Sequence, residues 1–309
     1  MITAFWDPSE TVTTVCPAPP TRGETKAGLP PAFAHRVATE DVLVTGWQRH
    51  STTDFSVDLD WSGAHAYFAP ARGNTHHHML VAQTLRQVGL GLAHAELGVP
   101  QGHHFLLNDL SYSLDPRHRT DTTTPVTATV EYTWTGRRGL EARIDLCQGE
   151  RRFAVSRSGF TWVPDAVYRR LRGDFLTARP GPPGTPLPAA SVGRTAPDEV
   201  ALAPTGLPHR WELIHDTGHP ALIDHPVDHV PGLVLLEAAQ QAAYAFADGA
   251  FDPADLALEA HRYVEFEAPC LIEAREAPAP AGTLGIEVTG RQRGEVTFRC
   301  RVQGSRTRD

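Results

Sequence analysis

HPALIDHPVDHVPGLVLLEAAQQAAYAFADG, residues 219–249, joins a loop crowded with His and Asp to a segment that is apolar on almost every side. Pro231-Gly232 suits a helix start, because proline at a first helical position loses an N–H that has no partner there anyway. Asp248-Gly249 supplies the stop. A helix this apolar must be buried, yet Glu237, Gln240, Gln241 and Tyr244 fall at i, i+3, i+4 and i+7 and so share one face. A buried carboxylate facing a His-rich loop must be hydrogen-bonded or have a raised pKa, which makes it a candidate acid or base. The alternative is a solvated face or a purely structural hydrogen-bond network.

Working outward, the chain repeats itself once. MLVAQTLRQVGLGLAHAELG, residues 79–98, carries Gln83, Arg86, Gln87 and Leu90 at the offsets of Glu237, Gln240, Gln241 and Tyr244. Each helix is followed by a strand-like run, HFLLNDLSYSL from His104 and HRYVEFEAPCLIEA from His261, with Tyr112 and Phe266 each 29 residues past Gln83 and Glu237. Upstream, HRVATEDVLVTGW from His35 parallels VGRTAPDEVAL from Val192. FSVDLDWSGAHAYF from Phe55 parallels WELIHDTGHPALI from Trp211, pairing Asp60 with Asp216 and His65 with His219. Both halves end in alternating strands. A long helix followed by several antiparallel strands predicts an α+β layer arrangement, a sheet wrapped around a buried helix, twice. The expected division is a flexible N-terminal tail at 1–31, a first repeat at 32–163, a Pro-rich linker at 164–190, a second repeat at 191–303 and a C-terminal tail at 304–309. The two halves are expected to pack as an intramolecular pseudo-dimer.

Composition narrows the function. A formal charge of −8 and a pI near 6.0 argue against nucleic-acid binding. No apolar run reaches the roughly 20 residues that span a membrane, and MITAFWDPSE lacks the features of a signal peptide, so a cytoplasmic location is expected. The four cysteines, Cys16, Cys147, Cys270 and Cys300, show no CxxC pair or framework spacing, which predicts reduced thiols. His76-His77-His78 resembles a metal tract, but consecutive side chains diverge and no acidic partner sits at helical spacing. No metal or other cofactor is expected; His78 is kept as a candidate substrate contact.

HPVDHVPGLVLLEAAQQ resembles the element of hotdog-fold dehydratases and thioesterases in which a His loop precedes a helix that begins with PG and bears a catalytic acid. Glu237 matches the acid and His225 is the nearest match to the loop histidine, although the loop between His225 and Pro231 is two residues shorter than the dehydratase pattern. A closer resemblance spans residues 35–303: HRVATEDVLVTGWQR, LVAQTLRQVGLGLAHAELGVPQGHHFLLNDLSYSL, VGRTAPDEVALAPTG, RWELIHDTGHPALIDHPVDHVPGLVLLEAAQQAA and HRYVEFEAPC are similar, in order, to motifs of the A-factor (γ-butyrolactone autoregulator) synthases. That resemblance implies tandem hotdog domains and transfer of a 3-oxoacyl group from acyl carrier protein to the hydroxyl of dihydroxyacetone phosphate. The product would be the precursor of a butenolide, γ-butyrolactone or furan signal that controls antibiotic production. The chain would act as a monomeric pseudo-dimer or a homodimer. Family members usually carry Glu where this chain has Gln83.

The residues suit that chemistry. Backbone N–H groups at Gly232 would stabilise the oxyanion of a thioester held at the helix start. Glu237 or His225 would serve as base, with His225 as the partner of Glu237, and Asp228 and His229 either support them or cap the helix. On this reading Glu237→Gln abolishes transfer and leaves the fold intact. Arg86, with Arg262 or Arg194, would clamp the phosphate; the alternative for Arg86 is an ion pair with Glu96, Asp109 or Glu237. Gln83, Gln87, Gln240 and Gln241 complete the candidate substrate contacts. Two other functions fit the same residues, a dehydratase or thioesterase acting on carrier-bound chains and a non-catalytic acyl binder.

Overall fold

The computed structural model describes residue 16 and residues 25–68, 78–119, 121–181, 184–214, 216–223 and 225–307. The chain divides into two compact units, residues 1–68 with 80–165, and residues 69–79 with 166–309.

In the first unit, β1 (Thr25–Ala27), β2 (Val44–Arg49) and β3 (Asp54–Leu59) precede the helix α1 (His78–Glu96), and β4 (His103–Leu114), β5 (Val126–Gly136), β6 (Gly139–Gln148) and β7 (Arg151–Pro164) follow it. The sheet order is β1-β2-β3-β5-β6-β7-β4, with antiparallel pairing throughout. Alternation selects the inner face: in β5, Val126, Ala128, Val130 and Tyr132 are buried while Thr127 and Glu131 are exposed. The Tyr132 hydroxyl donates to the carbonyls of Val88 and Gly89, 3.2 and 2.8 Å away, which ties the sheet to α1. The helix ends where Gly98 turns with φ +72° and Val99 N–H donates to Ala93 O at 3.1 Å.

The second unit opens with α2 (Asp165–Arg172), continues through β8 (Leu202–Pro204) and β9 (Arg210–Leu213) to the helix α3 (Gly232–Phe246), and closes with β10 (Asp252–Ala260), β11 (Cys270–Ala277), β12 (Leu284–Gln292) and β13 (Glu295–Ser305). Its order is β8-β9-β11-β12-β13-β10. Without β1, the first unit has the same order strand for strand, so the duplication is real at the level of topology. The helix α3 packs on β11, β12 and β13, burying Leu236, Ala238, Ala239 and Ala242 with Ile272, Val288 and Phe298. Pro231 is the residue before the helix rather than its first residue; its carbonyl accepts from Val234 N–H and Leu235 N–H. At the far end Asp248 and Gly249 turn left-handed, as the sequence predicted for the stop.

The proposed internal match of Asp60 with Asp216 and His65 with His219 holds in detail. Asp60 and Asp216 accept from Ser62 N–H and Gly218 N–H, both at 2.8 Å. His65 and His219 Nδ1 accept from the amides two residues on, Tyr67 and Ala221, at 3.0 and 3.3 Å.

Several expectations need correction. HRYVEFEAPC is not the counterpart of HFLLNDLSYSL: the strand equivalent to β4 is β10, and residues 261–269 form the connection that follows it. The equal spacing to Tyr112 and Phe266 was coincidental, since strand length differs between the repeats. The stretch expected as linker begins with a helix, α2. The expected tail is structured near its end, where β1 pairs with β2 and Leu29 is only 4% exposed. Leu29 lies against α1 where a Cβ at Gly91 would fall 2.2 Å from its Cδ1, so the glycine makes room for it. Cys16 and Cys147 are bonded to each other, with Cα atoms 6.3 Å apart, while Cys270 and Cys300 are free and buried. A separation of 131 residues gave no spacing signal for that pair. The rest of the expected tail, residues 1–15 and 17–24, lies outside the described residues, as do His76 and His77.

Because Leu29 fills the space beside Gly91, Leu29→Ala should destabilise the protein by about 2–5 kcal/mol. Chemical denaturation checks this; a value near zero would return Leu29 to the tail.

Candidate active site

The polar face expected on α3 forms, but its carboxylate is not free. Glu237 is 1% exposed and is held by Arg194 through two bonds, Nε to Oε1 at 2.8 Å and Nη2 to Oε2 at 2.5 Å. Gln241 also donates to Glu237 Oε1. This replaces the expected pairing of Glu237 with His225, and it assigns Arg194 to Glu237 rather than to a phosphate. A buried carboxylate needs such a partner, since an unpaired charge in this position is prohibitive. Arg194 comes from the segment just before the short helical turn Pro197–Glu199, so the ion pair pins that segment to the central helix.

Gln241 and Gln87 do the same work in the two repeats. Gln241 Oε1 accepts from Ala201 N–H and its Nε2 donates to Glu199 O, both at 2.8 Å. Gln87 does the same with Leu43 N–H and Asp41 O, again at 2.8 Å. These two glutamines therefore read as structural rather than substrate-binding. Gln83, at the position of Glu237, is 1% exposed and neither end of its amide has a hydrogen-bond partner among the described residues.

A second cluster lies in the loop just before α3. Asp228 Oδ1 accepts from the Tyr168 hydroxyl and from His229 Nδ1, both at 2.7 Å, and Asp228 Oδ2 accepts from Arg172 Nε at 2.8 Å. Arg172 also holds Glu265 with two bonds of 2.7 and 2.6 Å, and donates to Asp228 O at 3.0 Å. The Tyr263 ring closes the group, 4.2 Å from the Arg172 guanidinium and 4.6 Å from the His229 ring. Burial raises the Asp228 carboxyl, but the donors His229, Arg172 and Tyr168 outweigh it and hold the group well below the usual carboxylate range. Burial, and then the bond to Asp228, pushes the Tyr168 phenol up, so it stays a neutral donor.

An ionised Asp228 can only accept, so Nδ1 of His229 must carry the proton. In the neutral ring Nε2 then holds the lone pair. The His229 side chain is 27% exposed. Next in sequence the helix begins at Gly232 with no side-chain cap, leaving its first amides for an incoming oxygen. An oriented imidazole beside open amides can activate a hydroxyl and stabilise an oxyanion.

The remaining candidates are dispersed. His78 contacts Pro253 O at 3.1 Å, and Gln240 donates to Met79 Sδ at 3.2 Å. Arg262 is 64% exposed, with Glu295 3.8 Å away. The Glu96 carboxylate contacts Lys26, Trp47 and Arg49, and Arg86 is half-buried on α1. His225 is half-buried in the loop. Sequence reasoning missed Tyr168, Arg172, Tyr263 and Glu265. The first two sit in a stretch read as linker, where DAVYRRLR places Tyr168 and Arg172 one helical turn apart and was the available signal.

A family model described as the A-factor biosynthesis hotdog domain matches residues 19–163 and 177–303. The chain is 38% identical over 286 residues to the 2-oxo-3-(phosphooxy)propyl 3-oxoalkanoate synthase of Streptomyces virginiae, covering 89% of this chain and 96% of the relative. It is 36% identical to the synthase of that name in Streptomyces coelicolor, covering 91% and 93%. Among solved structures it is similar to the 12:0-ACP thioesterase from Umbellularia californica, with TM-score 0.52, 11% identity and coverage of 82% and 97%. An acyl-ACP thioesterase from Bacteroides thetaiotaomicron matches with TM-score 0.51, 13% identity and coverage of 82% and 99%. These structures establish the fold, two tandem hotdog domains.

Glu237→Gln should now cost about 3–5 kcal/mol of stability, because it leaves Arg194 buried without its counter-charge. Urea denaturation decides between this and the intact fold expected from sequence. The depressed Asp228 carboxyl contributes stability that is complete above the ordinary carboxylate pKa of about 3.9 and is lost as the pH falls toward its lower folded value. Stability measured from pH 6 down to 2 should therefore fall less steeply in Asp228→Asn than in the wild type.

Proposed function

This chain belongs to the A-factor biosynthesis hotdog family, and from that premise we propose that it is a 2-oxo-3-(phosphooxy)propyl 3-oxoalkanoate synthase. It is an acyltransferase that joins a 3-oxoacyl group to the hydroxyl of dihydroxyacetone phosphate. The donor we assign is a 3-oxoacyl thioester on acyl carrier protein, and the compartment is the cytoplasm. Thiol buffers there work against the Cys16–Cys147 bond.

The reaction follows from the second cluster. The thioester carbonyl oxygen sits at the open amides of Gly232 and Leu233. His229 Nε2 takes the proton of the acceptor hydroxyl as its oxygen attacks the carbonyl carbon. The C–O bond forms, the tetrahedral oxyanion collapses, the C–S bond breaks, and the imidazolium returns the proton to the leaving thiolate. The products are the phosphorylated ester and free carrier thiol. Asp228, held by Tyr168 and Arg172, keeps Nδ1 protonated and stabilises the imidazolium while it lasts. Glu237 is a positioning residue acting through Arg194. Arg262, exposed and adjacent in sequence to Tyr263, is the cation assigned to the phosphate. The observation that carries this reading is the bond between His229 Nδ1 and Asp228 Oδ1, which leaves Nε2 as the basic nitrogen.

The same dyad could activate water, and the solved neighbours are thioesterases. The two outcomes differ in mass. Incubated with a 3-oxoacyl carrier protein and dihydroxyacetone phosphate, the protein should yield the phosphorylated ester or its dehydrated ring. Free 3-oxo acid as the main product would favour hydrolysis, and neither product would favour a binder. His229→Gln should lower kcat by about 10²–10⁴ with the circular dichroism spectrum unchanged; full activity in that variant removes His229 as the base.

A further inference from the structure

The Tyr263 hydroxyl is the one polar group of the Asp228 cluster that lacks a hydrogen bond among the described residues, although it is buried. Its ring cannot swing away easily. Val230 N–H donates to Val264 O at 2.9 Å, and Gln292 grips both sides of Glu265, accepting from its N–H at 2.9 Å and donating to its carbonyl at 2.8 Å. The ring itself packs against Arg172 and His229. Phenylalanine would fill the same volume without leaving a polar atom unmatched. A pinned, buried hydroxyl with no protein partner is explained by a partner that arrives with the substrate.

We infer that the Tyr263 hydroxyl donates a hydrogen bond to a substrate carbonyl oxygen beside His229; this rests on the acyl-transfer reading. The charge around the ring selects the ligand group. Asp228 and Glu265 carry two negative charges against the single positive charge of Arg172, so the surroundings disfavour a phosphate or carboxylate and suit an uncharged oxygen. Burial pushes the Tyr263 phenol up, so it stays protonated and able to donate. Three substrate carbonyls meet this description: those of the thioester and the 3-oxo group on the donor, and the ketone of the acceptor.

The test compares wild type, Tyr263→Phe and Tyr168→Phe. Thermal unfolding is measured alone, with dihydroxyacetone phosphate, and with a 3-oxoacyl pantetheine in which an amide replaces the thioester. Removing an unmatched hydroxyl should leave the Tm of unliganded Tyr263→Phe equal to wild type or higher, whereas Tyr168→Phe, which loses its bond to Asp228, should lower it. Tyr263→Phe should lose at least half of the Tm rise given by one ligand and keep that given by the other, which tells the donor from the acceptor. Its kcat/KM should fall about 10- to 100-fold. A Tm loss like that of Tyr168→Phe, or ligand shifts and turnover equal to wild type, overturns the inference while acyl transfer stands. A wild type that makes no ester brings down both.

Discussion

Arg172 places one guanidinium between two carboxylates, and the catalytic loop depends on it. Asp228 and Glu265 could not both be buried as anions without that cation, because desolvating each costs several kcal/mol. The trio still carries one net negative charge. Tyr168 and His229 compensate by donating to Asp228. The residual charge then has a use: when His229 takes a proton, its new positive charge faces a negative surrounding. In the proposed reaction, the arrangement that lets the loop fold would also stabilise the imidazolium.

The repeats share a scaffold and differ in charge. Gln87 and Gln241 make the same two backbone bonds at the same distance. At the positions of Asp228, His229 and Glu237 the two halves differ in sequence. Counting back equally from Gln83 and Glu237, the chain has Asn74 and Thr75 where the second half has Asp228 and His229. Glutamine stands for Glu237 in the same way. All three positions carry neutral side chains in the first half, which keeps Gln87 and its two backbone bonds.

What could be read from sequence follows from the range of each interaction. The helices α1 and α3 were legible because apolar periodicity is local, and the matched turns at Asp60 and Asp216 because a side chain bonding two residues ahead leaves a fixed signature. The counterpart of β4 was misread because strand length and loop length trade off without changing the pattern. The long-range ion pairs around the site were not legible. Arg194 meets Glu237 across 43 residues and Arg172 meets Glu265 across 93, and no short-range pattern encodes such separations. Sequence therefore located the His loop and the helix, and paired Glu237 with His225 where the structure pairs it with Arg194.

The choice between Glu237 and His229 as base turns on what each would have to give up. Glu237 has both oxygens engaged by Arg194, and one of them by Gln241 as well. Turning one of those oxygens toward a substrate proton means breaking a buried ion pair, at roughly 3–5 kcal/mol, or about two to four powers of ten in rate. That is as much as general-base catalysis normally contributes, so nothing would be gained. His229 gives up nothing, because its bond to Asp228 uses Nδ1 and strengthens when Nε2 is protonated. In the proposed reaction a carboxylate on the central helix and a histidine in the preceding loop thus exchange the roles that the motif alone suggests: the helix acid would hold the frame, and the loop histidine would move the proton.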